Sequence, residues 1–261
     1  MSISTIHTVR DMREWQRTIG DRCVGFVATM GALHSGHASL IEHSVTDCDL
    51  TVVSIYVNPT QFDQLDDLKI YPRTLETDVS LAGAMGADLV FAPTWEEMYP
   101  DEFRYQVDEG EFSRELCGAH RDGHFTGVLT VVMKLLNIVR PKRAYFGEKD
   151  YQQFKLIMDM VSAFHMDVEI VPCATVREED GLALSSRNLN LSCEARETAP
   201  IIHQLITSDR SDEHITAALT EAGFKVDYVV SRYDRRFVAA RIGDGDREVR
   251  LIDNVPRPTE E

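Results

Sequence analysis

The run VGFVAT (Val24–Thr29) is apolar and β-branched, is closed by Gly31 and Gly36, and leads into a helical pattern over residues 37–48. A strand, a glycine-rich turn and a helix are predicted there. LTVVSIYV, residues 50–57, reads as a second buried strand ended by NPTQ, where Pro59 removes a ladder donor and Asn58 suits a turn. After YPRT a helix is expected from near Thr74, with Asp78 in its early turns and Gly83 and Gly86 weakening its end before the strand DLVFAP. Between 128 and 139 the apolar positions 128, 131, 132, 135, 136 and 139 recur at helical spacing, and Pro141 stops them. RAYFG then reads as a strand, DYQQFKLIMDMVSAF as a helix and DVEIVP as a strand. This alternation predicts an α/β fold built on an open, mostly parallel, Rossmann-like sheet.

The pattern changes after residue 175. REEDGLALSSRNLNLS is polar and turn-like, and beyond it come two helical stretches, residues 194–206 and 212–221, and the strands KVDYVVS, FVAARIG and EVRLIDNV. A boundary near Val176 is expected, dividing a domain of residues 1–175 from a smaller α+β domain of residues 176–261.

Charge narrows the range of partners. The chain has 261 residues, 43 acidic against 27 basic, and a formal charge of −16, which argues against a nucleic-acid backbone as main partner. A local pocket can still hold an anion through backbone N–H groups and a few basic side chains. The five cysteines, Cys23, Cys48, Cys117, Cys173 and Cys193, contain no C-x-x-C and suggest neither a disulfide framework nor a zinc ribbon. With no signal-like start and no apolar run near the roughly 18 residues of a membrane span, a cytoplasmic protein without membrane contact is expected.

Candidate chemistry collects where the predicted strands end, the edge at which open parallel sheets bind ligands. TMGALHSGHASLI places His34 and His37 three apart at a helix start. Metal ligation with His120 and His124, or ordinary hydrogen bonding in a loop, would explain an isolated pair, but the flanking glycines and the preceding strand tilt it toward contacts to a phosphate. The lack of G-x-x-x-x-G-K-[ST] excludes a Walker loop. Lys149 follows a predicted strand and Gln152 and Gln153 open the next helix, where each suits either a ligand or solvent. In LALSSRN, Ser185, Ser186 and Arg187 form either a phosphate clamp or a serine-rich turn. Asn58 and Gln61 are ligand contacts or turn caps.

Taken together, TMGALHSGHASLI, SIYVNPTQF, YPRTLETD, GHFTGVLTVVMKLLNIVRPKRAYFGEKDYQQ, VREEDGLALSSRNLNLS and RLIDN resemble, in order, the pantothenate synthetase (pantoate–β-alanine ligase) family of the nucleotidylyltransferase superfamily. The resemblance implies a Rossmann-like domain covered by a smaller C-terminal lid. It implies ATP-dependent ligation in two steps: pantoate and ATP give pantoyl adenylate and pyrophosphate, and β-alanine then displaces AMP. His34 and His37 would meet the ATP phosphates, with Met30, Gly31, Gly147, Val176 and Leu184 also at the nucleotide. Lys149 would neutralise phosphate, Asp150 would hold the ribose or adenosine side, and Ser185, Ser186 and Arg187 would close on pyrophosphate. Gln61 and Gln153 would hold pantoate, Asn58 would line its pocket and His124 would lie near it. Mg²⁺ should come with ATP, with Asp78 its candidate protein ligand or else simply an acid in a first helical turn. A homodimer is also implied.

Three positions depart from that family's pattern: Ala28 where proline usually precedes TMG, Asp63 where glycine follows QF, and Thr77 where an acid is frequent. Two other readings share the histidine turn: a nucleotidylyltransferase acting on a phosphorylated acceptor, and a nonenzymatic nucleotide-binding module.

Overall fold

The computed structural model describes residues 3–63, 65–243 and 248–257, and within these the chain forms two compact units. The first runs to Glu148 and takes up Gln152–Cys173; the second combines Lys149–Tyr151 with the chain from Ala174 onward.

In the first unit the strands β1 (Ser4–Ile6), β2 (Val24–Thr29), β3 (Leu50–Ile55), β4 (Leu89–Phe91), β5 (Arg143–Gly147) and β6 (Glu169–Cys173) form one parallel sheet. Its order is β1-β4-β3-β2-β5-β6. Phe26, Val27, Val52, Val53, Val90, Phe91, Ala144 and Tyr145 are all buried, the pattern of a parallel sheet covered on both faces. The chain leaves β2 toward β3 and leaves β5 toward β6 on the other side, so the sheet has its switch point between β2 and β5. The α/β class expected from the alternation is the one found.

The helices are α1 (Val9–Ile19), α2 (Ser35–Asp47), α3 (Leu65–Ile70), α4 (Leu75–Ala84), α5 (Trp95–Met98), α6 (His124–Val139) and α7 (Tyr151–Ala163). Neither β1 nor α1 is expected from the pattern. β1 has three residues, and α1 fully buries only Met12, so its apolar periodicity is thin. α6 starts at His124, a turn earlier than its apolar stripe, because its first turn is specified by Gly123 at a φ of 69° and not by apolar residues. Within that helix all six predicted positions, 128, 131, 132, 135, 136 and 139, are buried.

α6 touches the 3₁₀ turn Pro59–Gln61 backbone to backbone. A Cβ at Gly127 would overlap the Thr60 carbonyl, and Asn58 Nδ2 donates to the Gly127 carbonyl at 3.2 Å. Lys134 of the same helix donates to Asp101 Oδ1 at 2.7 Å and lies 5.0 Å from the centre of the Tyr99 ring.

The second unit holds α8 (Cys193–Thr198), α9 (Ile201–Ile206), α10 (Asp212–Glu221) and the antiparallel sheet β7 (Lys225–Arg232), β8 (Arg235–Ile242), β9 (Val249–Pro256). Its core joins Ile202, Ile206, Ile215, Leu219, Phe224, Val238 and Leu251. The single helix expected over 194–206 is two, because Pro200 has no N–H to carry the ladder across. Arg236, 2 % exposed, donates to Asp212 and to the carbonyls of Ile206, Ser208 and Arg210, which fastens the loop after α9 to β8.

Gly127→Ala is expected to destabilise the protein by about 1–3 kcal/mol, because the new methyl meets rigid backbone; urea unfolding measures it. Asp101 gives a pH test. Hydrogen bonds from Lys134 and the Tyr105 amide hold its carboxyl down to about 2 from an ordinary 3.8. Its contribution is therefore complete above the ordinary value and is lost as pH falls from about 4 toward 2. Asp101→Asn should flatten stability across that window, read from urea midpoints against pH.

Candidate active site

The turn after β2 is fastened amide by amide. Thr29 Oγ1 donates to the Ser54 carbonyl at 2.7 Å and accepts from Gly31 N–H at 3.2 Å. Asp78, 2 % exposed, accepts from Ala32 N–H at 2.9 Å, from Leu33 N–H at 2.8 Å and from the Thr74 hydroxyl at 2.9 Å. Gly31 has a φ of 84°, and a Cβ there would sit 2.9 Å from Asp78 Oδ2, so only glycine fits. Ala32 is also left-handed, at 51°, held there by the bond to Asp78. Ala28 lies inside β2 opposite Ser54, so the ladder and Thr29 govern entry to the turn without a proline ring.

His34 and His37 cap α2 reciprocally. His34 Nδ1 accepts from Gly36 N–H at 3.1 Å, and His37 Nδ1 accepts from His34 N–H at 3.3 Å, with the ring centres 4.2 Å apart. A nitrogen that accepts a backbone N–H carries no proton, so each neutral ring bears its proton on Nε2. The pair therefore presents two donor nitrogens at a helix N-terminus without a charge on either ring.

A second chain of bonds orders the turn after β3. Asn58, 1 % exposed, donates from Nδ2 to Gln61 Oε1 at 3.0 Å, while its Oδ1 accepts from the Tyr99 hydroxyl at 2.9 Å and from the Thr60 hydroxyl at 3.0 Å. The Gly127 carbonyl, which only accepts, fixes which way the Asn58 amide faces by taking its Nδ2–H, and Asn58 in turn leaves Gln61 with Nε2 as its donor end. His124 Nδ1 lies 2.8 Å from the Gln61 carbonyl and must donate to it, so Nε2 accepts from Arg121 at 2.9 Å. Asp63 adds an ion pair to Arg121 at 3.1 Å. The residue that departs from the resemblance thus helps hold the backbone of Gln61. Tyr99 escaped sequence reasoning, since an aromatic after EEM reads as core packing.

Of the paired glutamines, Gln152 is structural: its side chain bonds Cys117 N–H and the carbonyls of Phe112 and Glu115. Gln153 is half-buried on the adjoining face of α7. Gly147 ends β5, and the Asp150 carboxylate lies 3.7 Å from the Lys149 ammonium.

In the second unit, Leu184 N–H donates to the Val176 carbonyl at 3.0 Å, and Arg177 bridges Ala183, so residues 176–184 double back on themselves. Ser185 caps the 3₁₀ turn Ser186–Asn190 by accepting from Arg187 N–H at 3.3 Å, and Asn188 ties that turn to the Ala183 carbonyl. Ser185, Ser186 and Arg187 are each half-buried.

The expected Asp78–Mg²⁺ contact fits this geometry poorly. The carboxylate is enclosed, and both oxygens are engaged by the turn, so Asp78 acts as its fastener. Among the described residues no three His, Cys, Asp or Glu side chains cluster to hold a metal ion, so a four-histidine site is not formed.

Asp78→Asn turns one acceptor oxygen into a donor facing backbone N–H groups. It should cost about 1–3 kcal/mol of stability by urea unfolding. Raising Mg²⁺ should not restore any lost activity, whereas rescue by Mg²⁺ would return Asp78 to the metal.

A profile of the Pantoate-beta-alanine ligase family matches residues 3–256. A pantothenate synthetase of Bdellovibrio bacteriovorus is 54 % identical over 245 residues, covering 94 % of this chain and 96 % of that one. Among solved structures, a pantoate–β-alanine ligase from Francisella tularensis, complexed with beta-gamma ATP and β-alanine, superposes with a TM-score of 0.92 at 38 % identity over 99 % of each chain. A pantothenate synthetase from Thermus thermophilus gives 0.88 at 41 % identity, covering 98 % of this chain and 100 % of that one. No helix of the described residues is long and apolar enough to cross a membrane. With residues 3–256 matched by the family and 94–99 % of the chain covered by these relatives, the chain belongs to the pantoate–β-alanine ligase family.

Proposed function

We propose that this protein condenses pantoate with β-alanine at the expense of ATP, and that it does so through a pantoyl adenylate. The observation that carries the reading is the reciprocal histidine cap, which holds two uncharged Nε2–H donors at the N-terminus of α2. Such donors suit the equatorial oxygens of an α-phosphate, where negative charge grows as a carboxylate attacks.

A carboxylate resists an amine until one of its oxygens belongs to a good leaving group. In the first step a pantoate oxygen bonds to the α-phosphorus of ATP and the bond to pyrophosphate breaks. In the second, the β-alanine nitrogen bonds to the acyl carbon, AMP leaves and the nitrogen loses a proton. His34 and His37 serve the first transfer, with the Met30 and Gly31 backbone and Gly147 beside the nucleotide. Lys149 meets phosphate charge and Asp150 the ribose or adenosine side. Gln61, aimed by Asn58, and Gln153 hold pantoate. From the second unit, Val176 and Leu184 take part in nucleotide binding, and Ser185, Ser186 and Arg187 bind the departing pyrophosphate, residues 176–261 acting as a lid. Mg²⁺ would enter with ATP as part of the substrate, where its charge would lower the repulsion felt by the attacking carboxylate.

Five free cysteines suit the reducing cytoplasm, where we place the reaction. The assembly proposed is a homodimer, and light scattering at micromolar concentration tests it, a monomer counting against it.

The first assay is pyrophosphate and AMP release from Mg-ATP with pantoate, with and without β-alanine. Pantoate-dependent pyrophosphate, with AMP and pantothenate released only when β-alanine is present, is the expected result. Turnover indifferent to both acid and amine would favour a transferase for another acceptor or a nucleotide-binding module. Lys149→Ala should slow pyrophosphate release by about 10²–10³-fold; near-normal release would remove Lys149 from its role.

A further inference from the structure

The motif RLIDN of β9 has no task in the reaction as described. Its last residue, Asn254, is 3 % exposed and has both ends of its amide engaged. Nδ2 donates to the backbone carbonyl of Lys149 at 2.9 Å, and Oδ1 accepts from Arg235 Nε at 2.6 Å. Since a guanidinium only donates and a carbonyl only accepts, the orientation of the amide is fixed by its neighbours. Arg235 does more than orient Asn254: its guanidinium lies 4.2 Å from the centre of the Tyr151 ring, which also meets Phe237 at 5.9 Å. Strands β8 and β9 therefore hold residues 149–151 by one carbonyl and one ring, two residues apart. The Lys149 side chain is 17 % exposed, and its ammonium lies 3.7 Å from Asp150 Oδ2 on a backbone fixed at this point.

The geometry points to Asn254 as a positioning residue for Lys149, holding the lysine backbone so that the ammonium is in place when adenylyl transfer begins. This rests on the role given to Lys149 above. Arg235 supports it by orienting the Asn254 amide and covering Tyr151. The requirement is physical: four side-chain torsions already let a lysine charge roam, and a backbone free to shift would add its own displacement to theirs. A displacement of about 1 Å at such a group costs on the order of 10²-fold in rate.

The test uses the full chain and separates the two half-reactions. Single-turnover pyrophosphate release from Mg-ATP and pantoate reads the first; aminolysis of supplied pantoyl adenylate by β-alanine reads the second. Asn254→Ala should slow the first by about 10–100-fold and leave the second within about twofold. Adding Asn254→Ala to Lys149→Ala should cost little more, because the group being positioned is gone. Equal losses in both half-reactions, following a fall in melting temperature, would make Asn254 merely structural and overturn the proposal. A multiplicative loss on top of Lys149→Ala would overturn it too, leaving the role of Lys149 intact. Normal pyrophosphate release by Lys149→Ala alone would bring down both readings together. If Asn254→Ala does not fold, Asn254→Asp decides: it keeps the volume and the Arg235 pair but sets an acceptor against the Lys149 carbonyl, and it should show the same selective loss. Arg235→Lys, which keeps the charge without the rigid fork, should show a smaller loss in the same step.

Discussion

Wherever a parallel strand hands its chain to a helix across a tight turn, the amide hydrogens of the turn have no ladder to join. Between β2 and α2 the amides of Gly31, Ala32, Leu33, His34 and Gly36 are taken up by Thr29, by both oxygens of Asp78, and by His37 and His34. Leaving one such group buried and unpaired costs about 1–3 kcal/mol, so five would rival the whole margin by which a domain stays folded. Two of those acceptors are the histidines on which the proposed chemistry rests: an imidazole that accepts at Nδ1 carries its proton on Nε2, so the bonds that close the turn also fix the tautomers.

Much of this was legible in the chain. VGFVAT, RAYFG and the stripe from Val128 to Val139 announce themselves because burial on both faces of a sheet, or along one side of a long helix, demands unbroken or periodic apolar residues. The histidine pair stood out for the opposite reason, since neither packing nor common turn chemistry asks for it. Part of what escaped was set by tertiary partners and part was local, since Pro200 lacks the N–H that would carry one helix into the next. β1 is short, α1 sinks one methionine, and the break at Pro200 separates helices that the pattern runs together.

The polar residues divide along the same line. Gln61 and Gln153 were distinguishable from Gln152 only by resemblance, and the structure supplies the physical difference for Gln152, whose amide is spent on the loop at 112–117. Asp78 read equally as a metal ligand or a helix-turn acid, because sequence does not reveal which amides a carboxylate will find. Tyr99 gave no signal of its own, looking like an aromatic of the core, and Asn254 stood inside the motif RLIDN with no role attached; each bonds the backbone or side chain of a residue far from it in sequence.

The second unit is discontinuous, for it includes Lys149–Tyr151 from the middle of the chain as well as everything from Ala174 onward. Such a unit cannot be inherited as a cassette. Gene fission after Cys173 would produce one fragment bearing Tyr151 without Arg235 and Phe237, and another bearing Asn254 without the carbonyl it grips. Swapping C-terminal halves between relatives would succeed only where residues 149–151 are compatible with the incoming strands. The lysine segment and RLIDN are thus bound to one evolutionary history, though about a hundred residues separate them in the chain.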